Sequence, residues 1–220
     1  PCGKIVLTQG YSYMLETLQP GQTWAQFGFL KCITTSEKQK EQIESIMRNV
    51  SFDILKPYLS DEFKGQTLPS KPIITVHTRD ARDTANIIKT FYVKFPQYRW
   101  FTFRDMRNLS EKDFAKGLET SCLSVWVDEI SGYGTFPLES MKSNVPVLGL
   151  VPNLLPEWMT EENGIWITDK TLFADVIADY VQNWLEDNIN PEIQEEMKKT
   201  IELISDKQKF ELSVVTLFTS

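Results

Sequence analysis

Three apolar, β-branched-rich runs constrain this chain most: Pro72–Thr78 (PIITVHT), Cys122–Val127 (CLSVWV) and Val145–Leu150 (VPVLGL). None keeps a strict apolar–polar alternation, so each reads as a strand buried on both faces. Helical sequence lies between them. Ala81–Phe95 is closed by Pro96, and Ser110-Glu111-Lys112-Asp113, a capping-box-like start, opens a helix to about Thr120. Strand–helix–strand alternation of this kind predicts a mainly parallel sheet with helices on both faces, a Rossmann-like three-layer α/β domain.

The alternation continues on either side. Lys4–Gln9 and Lys31–Thr35 predict strands, Ser36 caps a helix over Glu37–Arg48, and Phe52–Tyr58 predicts a strand or extended link. Further on, the pattern predicts a strand over Tyr98–Arg104, a short helix over Phe136–Ser143, a strand over Ile165–Ile167, a helix over Leu172–Leu185 and two helical stretches from Pro191 to the end. The polar segment Asp61–Ser70, with Gly65 and Pro69, is the best domain boundary. The chain therefore divides into a short partial α/β segment over 1–66, a Rossmann-like domain over 67–188 and carboxyl-terminal helices over 189–220.

Composition narrows the function classes. With 220 residues, 41% hydrophobic and 24% charged, the chain can bury a real core and is not disordered. A net charge of −7 argues against a general nucleic-acid binder. It leaves room for an anionic small ligand, which needs only a few placed arginines. The longest apolar stretch, Val145–Val151, is broken by Pro146 and Gly149, so no transmembrane segment is expected. The start, PCGKIVLTQG, lacks the pattern of a signal peptide. Cys2, Cys32 and Cys122 form no CxxC, which points to reduced, buried thiols, a cytoplasmic setting and no structural zinc. The single histidine, His77, sits in a β-branched run and reads as a packed residue. Asn49-Val50-Ser51 and Asn108-Leu109-Ser110 fit the glycosylation sequon and read as accidental without a secretion signal.

Open parallel sheets bind ligands at the carboxyl ends of their strands, near the switch point. That directs attention to Arg79–Arg82, Arg104–Asn108 and Asp128–Thr135. In the last of these, Ser131-Gly132-Tyr133-Gly134-Thr135 stands between an apolar strand and a helix. Its glycines allow close backbone approach, and the helix start offers N–H groups and a positive dipole end to an anion, most plausibly phosphate. A glycine turn for tight packing is the alternative. Glu139, one turn into the helix, either compensates the dipole or accepts hydrogen bonds from vicinal sugar hydroxyls. Arg79 and Arg82 either grip phosphate oxygens or pair with Asp80 and Asp83 at the surface. Arg104, Asp105 and Arg107 occupy the neighbouring loop.

The stretch DEISGYGTFPLESMKSNVPVLGLVPNLLPEWMTEENGIWITD resembles the carboxyl-terminal half of GT-B glycosyltransferases, in particular the large retaining family 4. Gly132, Gly134, Pro137, Leu138, Glu139 and Met141 match that pattern in order, as do Pro146, Val147, Pro156, Glu157, Asn163 and Gly164. PIITVHTRDAR resembles the first strand of that domain, which ends in a donor-phosphate arginine; KIVLTQ and CITTSEKQKEQI resemble the end of the preceding domain. The resemblance implies a nucleotide-sugar-dependent transferase of polysaccharide biosynthesis, represented by its donor-binding part. The implied reaction retains configuration, needs no metal or cofactor, and takes the nucleotide sugar as substrate. By this resemblance Arg79 and Glu139 are the catalytic-site pair, with Glu139 on the donor ribose. Arg82, Arg104, Met106, Ser131, Gly132, Tyr133, Gly134 and Thr135 line the substrate, its base near Arg104–Met106. The implied acceptor is a saccharide or lipid-linked molecule, and the full-length protein would associate peripherally with a membrane. Two departures stand out. The first motif glutamate is replaced by Ser131, and Arg82 follows Arg79 at shorter spacing than the family's arginine–lysine pair. Only about 65 residues precede the boundary, too few for an acceptor domain, so the chain reads as an inactive fragment of a longer enzyme. The rival expectation is a non-catalytic Rossmann-like module that binds a nucleotide or a partner. A dehydrogenase is disfavoured because no GxGxxG follows the first strand.

Overall fold

The computed structural model describes residues 4–10, 17–65 and 71–219. They form two parallel sheets joined by a linker. The smaller sheet holds β1 (Lys4–Leu7), β2 (Phe29–Thr34) and β3 (Ser51–Ile54) in that spatial order, with α1 (Glu37–Glu44) between β2 and β3. Val6, Cys32 and Phe52 stand in register across the three strands. They pack with Trp24, Ile43, Met47 and Val50 into one small core.

The larger sheet contains β4 (Ile73–Thr78), β5 (Thr102–Asp105), β6 (Leu123–Val127), β7 (Val147–Leu150) and β8 (Ile165–Ile167), in the order β5-β4-β6-β7-β8 and parallel throughout. On one face lie α2 (Ala81–Lys94) and α5 (Phe173–Leu185), enclosing Ile74, Val76, Phe91, Val125 and Ile177. On the other lie α3 (Glu111–Leu118), α4 (Thr135–Lys142) and α6 (Pro191–Ile204), enclosing Leu118, Trp126, Leu138, Val147 and Met197. All five β6 residues are buried because both faces are covered, as the unbroken apolar run predicts. The three-layer expectation is met.

The chain turns from β4 to β5 on one side and to β6 on the other, so the switch point lies between β4 and β6. α7 (Lys207–Thr219) returns to the small sheet, where Lys31 Nζ donates to the Leu217 carbonyl (3.1 Å). The linker packs on the large unit: Leu59 and Phe63 are buried in its core, and Lys142 Nζ donates to the carbonyls of Leu59 and Ser60 (2.8 and 2.9 Å). Of the boundary placed at Asp61–Ser70, residues 66–70 lie outside the described residues, as does Cys2.

Several boundaries differ from expectation, three of them for the following reasons. The strand predicted over Tyr98–Arg104 is a 3-10 turn at Pro96–Tyr98 followed by β5 from Thr102, because Tyr98 stacks on Phe91 and helps cover the core end. The helix expected to reach Arg48 stops at Glu44, and the chain passes a left-handed Asn49 (φ 64°). Both sequon asparagines, Asn49 and Asn108, are left-handed turn residues, a conformation that asparagine tolerates. α4 begins one residue early, at Thr135.

Among the described residues no helix is long and apolar enough to cross a membrane. Cys32 and Cys122 are free and buried, and burial pushes both thiols up to about 12.

Candidate functional site

Two residues mark the switch point. Arg79 follows β4 and Asp128 follows β6; they meet in a bidentate pair, Nε to Oδ1 at 3.0 Å and Nη2 to Oδ2 at 2.8 Å. The Arg79 side chain as a whole remains 45% exposed. Its expected partners are otherwise engaged. Asp80 caps α2 through the Arg82 N–H (2.8 Å) and also holds the Arg82 guanidinium (Nε to Oδ2, 2.8 Å). That side-chain hydrogen bond from Arg82 brings the Asp80 carboxyl down to about 2. Asp83 pairs with Lys170. Arg107 forks onto Asp105 beside the crevice in the same way. His77 stacks on Phe136 (centroids 4.7 Å apart), its Nδ1 buried without a partner among the described residues. Burial holds its pKa below the ordinary value, against the raising pull of Asp128 and Asp105, so it is neutral at pH 7.

The glycine loop leads into α4. Gly134 is the N-cap at φ +73°, and a Cβ there would stand 3.2–3.3 Å from the rings of Trp158 and Trp126. Both the dihedral and the space demand glycine. Ser131 Oγ accepts from the Gly134 N–H (2.9 Å) and Trp158 Nε1 donates to the Tyr133 carbonyl (2.6 Å), which fixes the loop. No side chain caps the helix, so its first-turn N–H groups and dipole face outward at exposed Thr135. Glu139 follows one turn later, half-buried, with no carboxylate partner among the described residues. Burial, helped by the charge of Glu111 at the start of α3, pushes its pKa up to about 7.

The loop is roofed by the small unit. A Cβ on Gly132 would lie 2.7 Å from Gln39 Nε2 and 2.9 Å from the Gln9 carbonyl oxygen. Beside it, Glu157 Oε1 accepts from the N–H of Glu37, the first residue of α1 (2.6 Å), and Oε2 pairs with Lys56 (3.3 Å).

Arg79 and Arg82 follow the carboxyl end of β4, Ser131–Thr135 follow that of β6, and Glu139 lies one turn into α4; the side chains of Arg104 and Met106 turn elsewhere. Arg104 Nη1 turns to the far end of α3, donating to the Gly117 carbonyl (3.2 Å) and Thr120 Oγ1 (2.9 Å). Met106 is fully buried against Ala115 and Leu118. Of these two side chains, expected to line the substrate, one ties a strand to a helix end and the other fills the core. The sequence reading gave no role to Asp128, Gln39, Glu157 or Trp158. Asp128 opens a loop already singled out, so strand order alone would have paired it with Arg79. A cavity of about 350 Å³ opens on the opposite face, between Asp83, Ile87 and Thr90 of α2 and Lys170, Phe173 and Ala174. None of the predicted site residues lines it.

The parallel-sheet α/β architecture is shared with solved GT-B glycosyltransferases at low sequence identity. Among solved structures, the pneumococcal O-GlcNAc transferase GtfA, in complex with UDP and GlcNAc, superposes with a TM-score of 0.65 at 10% identity, covering 89% of this chain and 46% of that one. A mutant of TarM from S. aureus, solved with fondaparinux, α-GlcNAc-glycerol and UDP, gives 0.68 at 16% identity, covering 87% and 44%. Sucrose-phosphate synthase from Thermosynechococcus elongatus gives 0.66 at 11% identity, covering 98% and 67%. The chain spans less than half the length of the first two. No protein-family description and no curated protein matches the sequence.

Proposed function

We propose that this chain is the donor-binding part of a nucleotide-sugar-dependent glycosyltransferase, acting with retention and without a metal. One observation carries the reading. Glu139, a half-buried carboxyl raised to about 7 and without a partner among the described residues, stands one turn behind an uncapped helix start and a positive-φ glycine loop. Burial disfavours its charged form while its oxygens keep some contact with solvent, and the vicinal hydroxyls of a ribose can take the place of that water. The half-exposed side chain of Arg79 and the first-turn N–H groups of α4 would neutralise the diphosphate, with Arg82 at the rim. Catalysis would then be positioning plus electrostatic stabilisation of charge on the leaving diphosphate. The solved complexes of GtfA and TarM with UDP support the same ligand class. The acceptor, a saccharide or lipid-linked molecule, would be bound mainly by polypeptide beyond these residues; the isolated chain would bind donor and transfer nothing. A cytoplasmic enzyme, peripherally attached to a membrane in its full-length form, fits this reading.

Calorimetry with several nucleoside diphosphates and their sugar esters, with and without chelator, tests it. Arg79→Ala weakens diphosphate binding by roughly 1.5–3 kcal/mol and leaves a bare nucleoside nearly unaffected. Glu139→Gln weakens both alike. Equal affinities for wild type and both variants, or binding that strictly requires magnesium or manganese, contradict the assignment. A radiolabelled-donor assay with robust transfer by this chain alone contradicts the fragment reading. A second reading, a non-catalytic Rossmann-like module binding a nucleotide or partner, is favoured by one observation: Ser131 stands where the resembled family has a glutamate, and its hydroxyl is committed to Gly134.

A further inference from the structure

The cavity of about 350 Å³ lies away from the glycine loop and from the seam between the two units, on the face of the large sheet that α2 and α5 cover. Its volume falls within the ~300–1,000 Å³ of small-molecule sites. Ile87, Val127, Phe173 and Ala174 form its floor, and all four are buried, so the interior is apolar. The mouth is charged. Lys170 Nζ stands 3.2 Å from Asp83 Oδ2, in the first turn of α2, and 3.3 Å from Glu129 Oε1, just beyond β6. These three side chains are partly exposed, and ion pairs in contact with water contribute little to stability and part readily. Asn86 and Thr90, one and two turns further along α2, add a carboxamide and a hydroxyl to the wall.

An apolar floor below one cation and one carboxylate suits a ligand that carries both charges and an apolar body. A lone anion at the mouth would be repelled by Asp83, and a lone cation by Lys170. A zwitterion meets neither obstacle. Its ammonium takes Asp83 while its carboxylate takes Lys170, which keeps Glu129, so opposite charges alternate along the row. We propose that this cavity binds a free α-amino acid with an apolar side chain, its side chain on Ile87 and Phe173 and its two charges at the mouth. The site uses neither Arg79, Glu139 nor the glycine loop, so it stands whether or not the chain binds a nucleotide sugar.

Calorimetry on the 220-residue chain with leucine and phenylalanine tests it. Both should bind saturably. Glycine lacks the apolar body, leucinamide the carboxylate and 4-methylpentanoate the ammonium. Each should bind about tenfold more weakly or worse, as the loss of a buried side chain or of a hydrogen bond to a charged group predicts. Two variants assign the charges. Asp83→Asn should abolish the preference for leucine over 4-methylpentanoate, and Lys170→Gln the preference for leucine over leucinamide. Each ratio is taken within one variant, so a modest change in stability does not enter it; if a variant fails to fold, the wild-type ligand series decides. No saturable binding of either amino acid up to about 10 mM overturns the inference. So does glycine binding as tightly as leucine, or preferences that survive both variants. Displacement of bound leucine by UDP would place the ligand in the donor crevice and overturn it as well.

Discussion

The two sheets are built from the same parallel α/β alternation, yet they are covered differently. The five-stranded sheet has helices of its own on both faces, with Phe91 and Trp126 fully buried on opposite sides. Among the described residues the three-stranded sheet has one core, on the face of Cys32 and Phe52; its other face carries Leu7, Lys31, Ile33 and Asp53, where Ile33 is buried but Leu7 is 62% exposed. A parallel sheet is stable when both faces are dry. The larger unit therefore holds its own shape, whereas the smaller one draws support from α7 and from the seam. The glycine loop follows the same division: it belongs to the larger unit and is roofed at Gly132 by the smaller one.

The comparison can be broken at its core. Trp126→Ala should cost about 3–5 kcal/mol in urea unfolding, because the ring packs against both Gly134 and Gly149. Ile43→Ala, in the small core, should cost about 2–4 kcal/mol. Its loss of hydrogen-exchange protection should be confined to β1–β3 amides. Equal loss across β4–β8 would show that the units open together.

Glu139 sharpens it. A carboxyl at 4.5 unfolded and about 7 folded binds its proton more tightly in the fold. The native state gains stability from this group below about pH 4.5 and loses it as pH rises through about 7. Glu139→Gln removes that dependence and should stabilise the protein at pH 8 by about 2–3 kcal/mol, with little effect at pH 4.5. Thermal melts at the two pH values check it; a uniform effect at both would mean that Glu139 is matched in the fold.

Smaller effects report on the seam. Gly132→Ala pushes a Cβ against Gln39 and the Gln9 carbonyl and should cost about 1–2 kcal/mol, with raised exchange at the start of α1. Glu157→Gln keeps the bond to the Glu37 N–H but loses the charge pairing with half-exposed Lys56, and should cost under about 1 kcal/mol, less at high salt.

The sequence by itself determined the layers and the loop. Unbroken apolar runs at 72–78 and 122–127 can only be strands covered twice, and glycines ahead of Pro137 and Glu139 can only open a helix at a turn. These are local statements, because burial of a residue and the dihedral of a turn are written within a few positions. Partners are not local. Arg79 meets Asp128, 49 positions away, because strand order sets β4 beside β6, while the nearer carboxylate of Asp80 is held by Arg82. Arg104 belongs to a loop beside the crevice in sequence, yet its side chain reaches the far end of α3 because alternate residues of a strand point to opposite faces. The roof over Gly132 comes from Gln39 and Gln9, on a separate sheet, and only the packing of one unit on the other decides that it is there.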